Sequence, residues 1–254
     1  MEIVEFPSPN HGPRRGVMAP DMIVIHYTGM ASAALALARL ASPASEVSAH
    51  YLIDEAGTVF ALVPETRRAW HAGVARWGRV EDVNSHSIGV ELAHPGHEGG
   101  NPPFPEAQMT QLEALLAGLR LRWGVPPERV LGHSDVAVGR KIDPGEAFDW
   151  RRLAAAGHAA VSDVEAAEDA AADPARLAEA ARRVGYGWDD EAALVRALQM
   201  RLAPEETGAP ASARLLARVE DLAARRPVSD GRPGGLRLSE AVGGPEDDGG
   251  EGGG

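Results

Sequence analysis

Met22-Ile23-Val24-Ile25 is an unbroken apolar run that stops at His26. A strand with one wet face alternates apolar and polar residues, so a run without alternation marks a strand covered on both sides. Such a strand needs packed layers above and below it. Other segments supply them. Tyr51-Leu52-Ile53 leads through Asp54-Glu55-Ala56-Gly57, a turn sequence, into Val59-Phe60-Ala61-Leu62-Val63. Ser87-Ile88-Gly89-Val90-Glu91-Leu92 reads as another strand, stopped by His94-Pro95-Gly96. From Glu106 to Trp123, Met109, Leu112, Leu115, Leu116, Leu119 and Trp123 recur at three- and four-residue spacing. With Pro105 at its start and Gly124 just past its end, that segment is an amphipathic helix resting on a sheet. Residues 31–40 form a shorter helix, and the expected fold class is α/β.

Beyond about residue 160 the pattern changes. Residues 161–173, rich in Ala, Glu and Asp, read as a linker or a solvated helix. Three helical patterns follow at 175–184, 191–202 and 211–225, broken by Gly185-Tyr186-Gly187 and by Pro204. Residues 228–254 hold ten glycines and cannot offset the entropy of ordering. The expected organisation is a domain over 1–160, a linker over 161–173, a small helical module over 174–227 and a disordered tail over 228–254.

The chain carries 25 Lys+Arg against 37 Asp+Glu, a formal net charge of −12. That balance argues against non-specific nucleic-acid or anionic-membrane binding. No apolar stretch approaches the roughly 18 residues of a membrane span. The first residues show no basic segment leading into an apolar run, so a secretory signal is not visible and a cytoplasmic location is expected. With no cysteine in the chain, disulfides, a thiol nucleophile and thiolate metal sites are excluded, and any metal falls to His and carboxylates.

Seven of the nine histidines lie between His26 and His133. His26 sits where a buried strand runs out, a place where α/β folds put working residues. His133 follows Arg129-Val130-Leu131-Gly132, another strand breaking into a loop, and Asp143 comes ten residues later. Two imidazoles and a carboxylate leave one tetrahedral position open, the pattern of catalytic rather than structural zinc. Spacing alone does not single these three out.

Five blocks occur in order: Ile23-Val24-Ile25-His26-Tyr27-Thr28, Ser48-Ala49-His50-Tyr51-Leu52-Ile53, Ala69-Trp70-His71-Ala72-Gly73, Ser87-Ile88-Gly89-Val90-Glu91-Leu92, and Gly132-His133-Ser134-Asp135 through Arg140-Lys141-Ile142-Asp143-Pro144-Gly145. Together they resemble the zinc-dependent N-acetylmuramoyl-L-alanine amidases of the AmpD/AmiD type, relatives of the peptidoglycan recognition proteins. The likeness covers roughly residues 20–150. It implies a mixed central sheet flanked by helices, zinc held by His26, His133 and Asp143, and catalytic assistance from Glu91 and Lys141. Glu91 would act as general base and then general acid, its pKa raised by desolvation at a strand end. Lys141, on the same side of an extended segment as Asp143, would stabilise an oxyanion. The implied substrate is a muropeptide or peptidoglycan, cut at the amide between N-acetylmuramic acid and L-alanine.

Several readings stay open at this level. His50 faces either the cleft or a core hydrogen bond; Trp70 and His71 line a substrate groove or, for Trp70, simply the core. His86, His94 and His97 lie near Pro and Gly and read as solvated. Val138 stands where the family commonly has proline. The helical module resembles a peptidoglycan-binding domain through Val184-Gly185-Tyr186-Gly187, Ala197-Leu198-Gln199 and Pro204, with a generic helical cap as the competing reading. The functional alternatives to a recycling amidase are a non-catalytic recognition module and an envelope or lytic amidase acting on polymeric wall.

Overall fold

The computed structural model describes residues 2–166 and 170–225; the expected tail lies outside them. The strands are β1 (Ile3–Glu5), β2 (His11–Pro13), β3 (Met22–Tyr27), β4 (Tyr51–Ile53), β5 (Val59–Ala61), β6 (Arg67–Ala69), β7 (Ser87–Leu92) and β8 (Val130–Gly132). The helices are α1 (Ala33–Leu40), α2 (Val83–His86), α3 (Glu106–Trp123), α4 (His133–Val136), α5 (Trp150–Ala155), α6 (Pro174–Val184), α7 (Glu191–Leu202) and α8 (Ala213–Arg225). Six strands form one sheet in the order β1-β5-β4-β7-β3-β8, and β2 pairs with β6 in a separate ribbon. The β4–β5 pair is antiparallel while every other pair in the six-stranded sheet is parallel, so the sheet is mixed.

The central strands are covered on both faces, as the unbroken apolar runs require. On one face Ile23, Ile25, Ile88, Val90, Leu92 and Val130 pack against Met109, Leu112, Leu115, Leu116 and Leu119 of α3, with Phe148, Trp150 and Leu153 completing the layer. Full burial of each such side chain contributes about 1.5–3 kcal/mol. Helix α3 ends at Gly124, whose φ of 66° is the left-handed conformation that suits glycine. Its buried Gln108 donates from Nε2 to the carbonyls of Ile53 and Ala93, tying the helix to the ends of β4 and β7.

The opposite face divides in two. Leu52 packs with Ala36, Leu37 and Leu40 of α1. Met22, Val24 and Leu131 join one cluster with Leu177 of α6, Leu194 and Leu198 of α7 and Val219 of α8. The C-terminal helices therefore share a core with the sheet. Val161 packs against the clusters on both faces, and the Ser162 hydroxyl donates to Asp221 at 2.5 Å, so this stretch is held down. Val138 also packs into the shared core, and Ala193 of α7 lies close beside Gly139.

Candidate metal centre and its cleft

The alternation of β3 sets the site. Met22 and Val24 point away from α3, and His26 continues that series where the strand ends. In register, His26 lies opposite Glu91 of β7 and Ile25 lies opposite Gly132, immediately before His133. Parallel pairing thus delivers three functional segments to one end of the sheet. Helix α4 begins at His133, and Ser134 N–H donates to the Asp143 carbonyl at 2.8 Å, which brings the two segments into contact.

His26 Nδ1 approaches His133 Nδ1 to 2.9 Å and Asp143 Oδ2 to 3.2 Å; His133 Nδ1 lies 3.0 Å from the same oxygen. All three residues are buried and form a group able to hold a metal ion. Donors about 2.0–2.2 Å from a tetrahedral zinc ion stand roughly 3.3–3.5 Å apart, so this cluster has nearly the size of such a site. The protonation states fit as well. Burial, and secondarily the neighbouring His133, lowers the His26 pKa to about 4, which keeps the imidazole neutral. Burial alone would raise Asp143, but His133 and His26 hold it well below the usual carboxylate range. A neutral imidazole and an ionised carboxylate are the forms that bind cations.

The outer nitrogens of both histidines are also engaged. His26 Nε2 lies 2.9 Å from His71 Nδ1, and His133 Nε2 lies 3.1 Å from the Ala72 carbonyl. Such contacts fix the ring orientation of a metal ligand. His71 Nε2 in turn lies 3.1 Å from the Ser87 hydroxyl, and the His71 and Ala72 N–H groups donate to Asn84 Oδ1 at 3.1 and 2.8 Å. The His71 ring sits directly on Gly89: a Cβ there would come within 2.5 Å of it. An isolated glycine inside a strand pattern marks such a close approach, and it was the available sequence signal for this contact.

A cleft of about 500 Å³ opens beside the cluster, lined by His26, His133, Asp143, Glu91, Lys141, Trp70 and His71 among others. Glu91 Oε2 is inaccessible and has no hydrogen-bond partner among the described residues. Burial, with Asp143 adding to it and Lys141 opposing, raises the Glu91 pKa to about 8. Lys141 is exposed at the cleft. Trp70 is half-buried on the wall.

His50 is not brought to the cleft. It is fully buried, accepting from Gly89 N–H at Nδ1 (2.9 Å) and bonding the Arg67 carbonyl through Nε2 (3.0 Å), the core alternative of the two left open by the sequence. Of His86, His94 and His97, expected to be solvated, His94 is not, while His86 and His97 are half-buried and each has a polar partner. His94 is buried, stacked on Phe104 with centroids 4.1 Å apart. His86 pairs with Asp21 at 3.2 Å. His97 lines the cleft between the Tyr27 hydroxyl (2.9 Å) and Glu146 Oε2 (2.9 Å). That wall and Arg140, which donates to the Ala72 and Val74 carbonyls, were not anticipated from the sequence.

No helix among the described residues is long and apolar enough to cross a membrane. The chain is similar to the N-acetylmuramoyl-L-alanine amidase AmiD of Escherichia coli, at 34% identity over 185 residues, spanning 65% of this chain and 66% of AmiD. It is 43% identical over 108 residues to the 1,6-anhydro-N-acetylmuramyl-L-alanine amidase AmpD of Enterobacter cloacae, spanning 42% of this chain and 55% of AmpD. The chain thus spans a little under two thirds of AmiD and about half of AmpD. Among solved structures, E. coli AmiD in complex with anhydro-N-acetylmuramic acid-L-Ala-D-γ-Glu-L-Lys superposes with a TM-score of 0.75 at 32% identity, covering 84% of this chain and 93% of that one. AmpDh3 of Pseudomonas aeruginosa gives 0.72 at 31% identity, covering 82% and 92%. The model of the N-acetylmuramoyl-L-alanine amidase family matches residues 16–146, a segment that contains His26, Glu91, His133, Lys141 and Asp143. By that match, over half its length, the chain belongs to the N-acetylmuramoyl-L-alanine amidase family.

Proposed function

We propose that this chain hydrolyses the amide bond between N-acetylmuramic acid and L-alanine in soluble peptidoglycan fragments, with zinc as its cofactor and cell-wall recycling as its role. The observation that carries the reading is the meeting of two buried imidazoles and an ionised carboxylate with a second, unpartnered carboxyl on the same cleft. His26, His133 and Asp143 would hold the ion, and His71 and the Ala72 carbonyl would orient the two imidazoles. Zinc bound there supplies acidification of water and polarisation of the scissile carbonyl. Glu91 takes a proton from the attacking water and returns it to the leaving L-alanine nitrogen. The C–N bond breaks, the carbonyl carbon keeps the hydroxyl oxygen and the amine carries the proton away. A carboxyl held near neutrality by its surroundings suits both halves of that exchange, and a bound cation draws its pKa down towards working pH. The Lys141 ammonium stabilises the oxyanion of the tetrahedral intermediate. Trp70 offers an aromatic face to the sugar or peptide on the cleft wall.

A preference for anhydro-sugar fragments is supported by the names of the AmpD relatives and by the ligand in the AmiD complex. The test is mass spectrometry of products from the zinc-loaded chain supplied with an anhydro-muramyl tripeptide or with intact sacculi. Released peptide with a free L-alanine amine from the small substrate supports the reading. Binding without cleavage would replace it with a recognition role, and cleavage confined to sacculi with a lytic one. We infer the cytoplasm as the place of action, and recovery of the chain with the cell envelope on fractionation would overturn that.

A further inference from the structure

Asp135 stands two residues beyond His133, and its carboxylate points away from the cleft into the C-terminal helices. Gly132 N–H and Arg201 Nη1 both donate to Oδ2 at 2.7 Å, and the Tyr186 hydroxyl donates to Oδ1 at 2.7 Å. Arg201 Nη2 continues to the carbonyls of Val130 (3.1 Å) and Ala160 (3.0 Å), and its guanidinium lies over the Trp150 ring at 4.1 Å. One side chain of α7 therefore grips the start of β8, the segment after α5, and α4. Asp135 is 1% exposed and Arg201 6%, so the pair is a buried one.

Buried ion pairs are weak evidence for stability, because well-packed apolar groups usually serve that purpose as well or better. What this pair supplies is direction. Helix α4 spans only four residues, too few to hold itself in place. It also carries His133 and, through Ser134 N–H, grips the backbone of Asp143. A tilt of α4 would therefore displace two of the three donors together.

We propose that Arg201 and Tyr186, acting through Asp135, are positioning residues for the metal centre, the C-terminal helices holding α4 so that His133 and Asp143 share one ion with His26. This rests on the reading of those three residues as metal ligands. It gives the helices a task inside the amidase unit, distinct from binding cell wall.

The test compares full-length wild type with Tyr186→Phe, Arg201→Met and Arg201→Lys. Zinc affinity is measured by competition with a chromophoric chelator, and the visible spectrum is recorded for the cobalt-substituted proteins. Tyr186→Phe and Arg201→Met are expected to bind zinc about 10- to 100-fold more weakly, the range for groups that orient metal ligands. Their cobalt spectra shift, and Arg201→Lys recovers part of the affinity by keeping one charged donor to Asp135. Folded variants with wild-type zinc affinity and cobalt spectrum overturn the proposal, whatever their thermal stability. Should Arg201→Met fail to fold, Tyr186→Phe decides, since it removes one hydroxyl and keeps the ring. A wild-type chain that binds neither metal would instead overturn the metal-centre reading, and this proposal with it.

Discussion

Eleven of the twelve residues of β3 and β7 divide between two faces that do opposite work; the twelfth, Tyr27, ends β3 with its hydroxyl against His97 at the cleft. Towards α3 the side chains are Ile23, Ile25, Ile88, Val90 and Leu92, all apolar and fully buried. On the other face β3 reads Met22, Val24, His26 and β7 reads Ser87, Gly89, Glu91. There, apolar packing along β3 gives way to a ring, while β7 presents a hydroxyl, a gap that accepts another ring, and an unpartnered carboxyl. The rigid, dry face fixes the strand positions. The chemical face can then hold buried polar groups whose protonation is set by their neighbours. Stability and chemistry are thus separable by a period of two residues.

The largest effect that tests this separation comes from Asp143→Ala. Removing a proposed ligand should weaken zinc binding by more than about 100-fold, beyond what loss of an orienting partner costs, and bring amide turnover to background. Metal content per chain after dialysis checks it; full zinc occupancy in that variant would break the ligand assignment. Glu91→Gln is next. Proton transfer by a positioned carboxyl is worth about 10²–10⁴-fold, so kcat should fall by that factor with zinc content and the folded spectrum retained. A loss of zinc in Glu91→Gln would mean that the carboxyl belongs to the ligand set.

Much of the supporting face was legible before any coordinates, because burial on both sides leaves an unbroken apolar run and a helix on a sheet leaves a three-four repeat. Glu106–Trp123 and Glu191–Leu202 have the boundaries their patterns predict. The three-residue strands β1, β2 and β6 are too short to carry a period, and α4 begins where a loop was expected. On the chemical face His26, Glu91, His133, Lys141 and Asp143 were named from ordered blocks, and they meet on one cleft. What escaped is the pairing of distant polar groups. His97 meets Tyr27 and Glu146 from 70 and 49 positions away, and Asp135 meets Arg201 from 66. No local pattern encodes such partnerships, so histidines beside Pro and Gly looked solvated.

On the dry face, Leu116→Ala should cost about 2–5 kcal/mol in denaturant unfolding, the range for a buried leucine left as a cavity. Below the unfolding transition, kcat and zinc affinity should stay at wild-type values. A fall in kcat comparable to that of Glu91→Gln would show that the two faces are coupled, and the separation would fail.

The smallest effect concerns pH and the metal-free chain. Burial and Asp143 disfavour the charged form of Glu91 in the folded chain and push its pKa up from 4.5 to about 8. An acid with a raised folded pKa makes the unfolded state the readier to ionise. Native stability therefore falls as pH rises from about 4.5 and levels off near 8. The slope for one proton is at most about 1.4 kcal/mol per pH unit, and less here because the carboxyl borders cleft water. Glu91→Gln removes this term while leaving the histidines and Asp143, whose own titrations cancel in the difference between the two proteins. Urea midpoints of metal-free wild type and Glu91→Gln should diverge between pH 5 and 8, with the glutamine variant gaining on the wild type. Zinc should narrow the gap, since a nearby cation favours the carboxylate. Parallel curves without metal would mean that water already solvates Glu91, and the chemical face would then be wetter than its geometry implies.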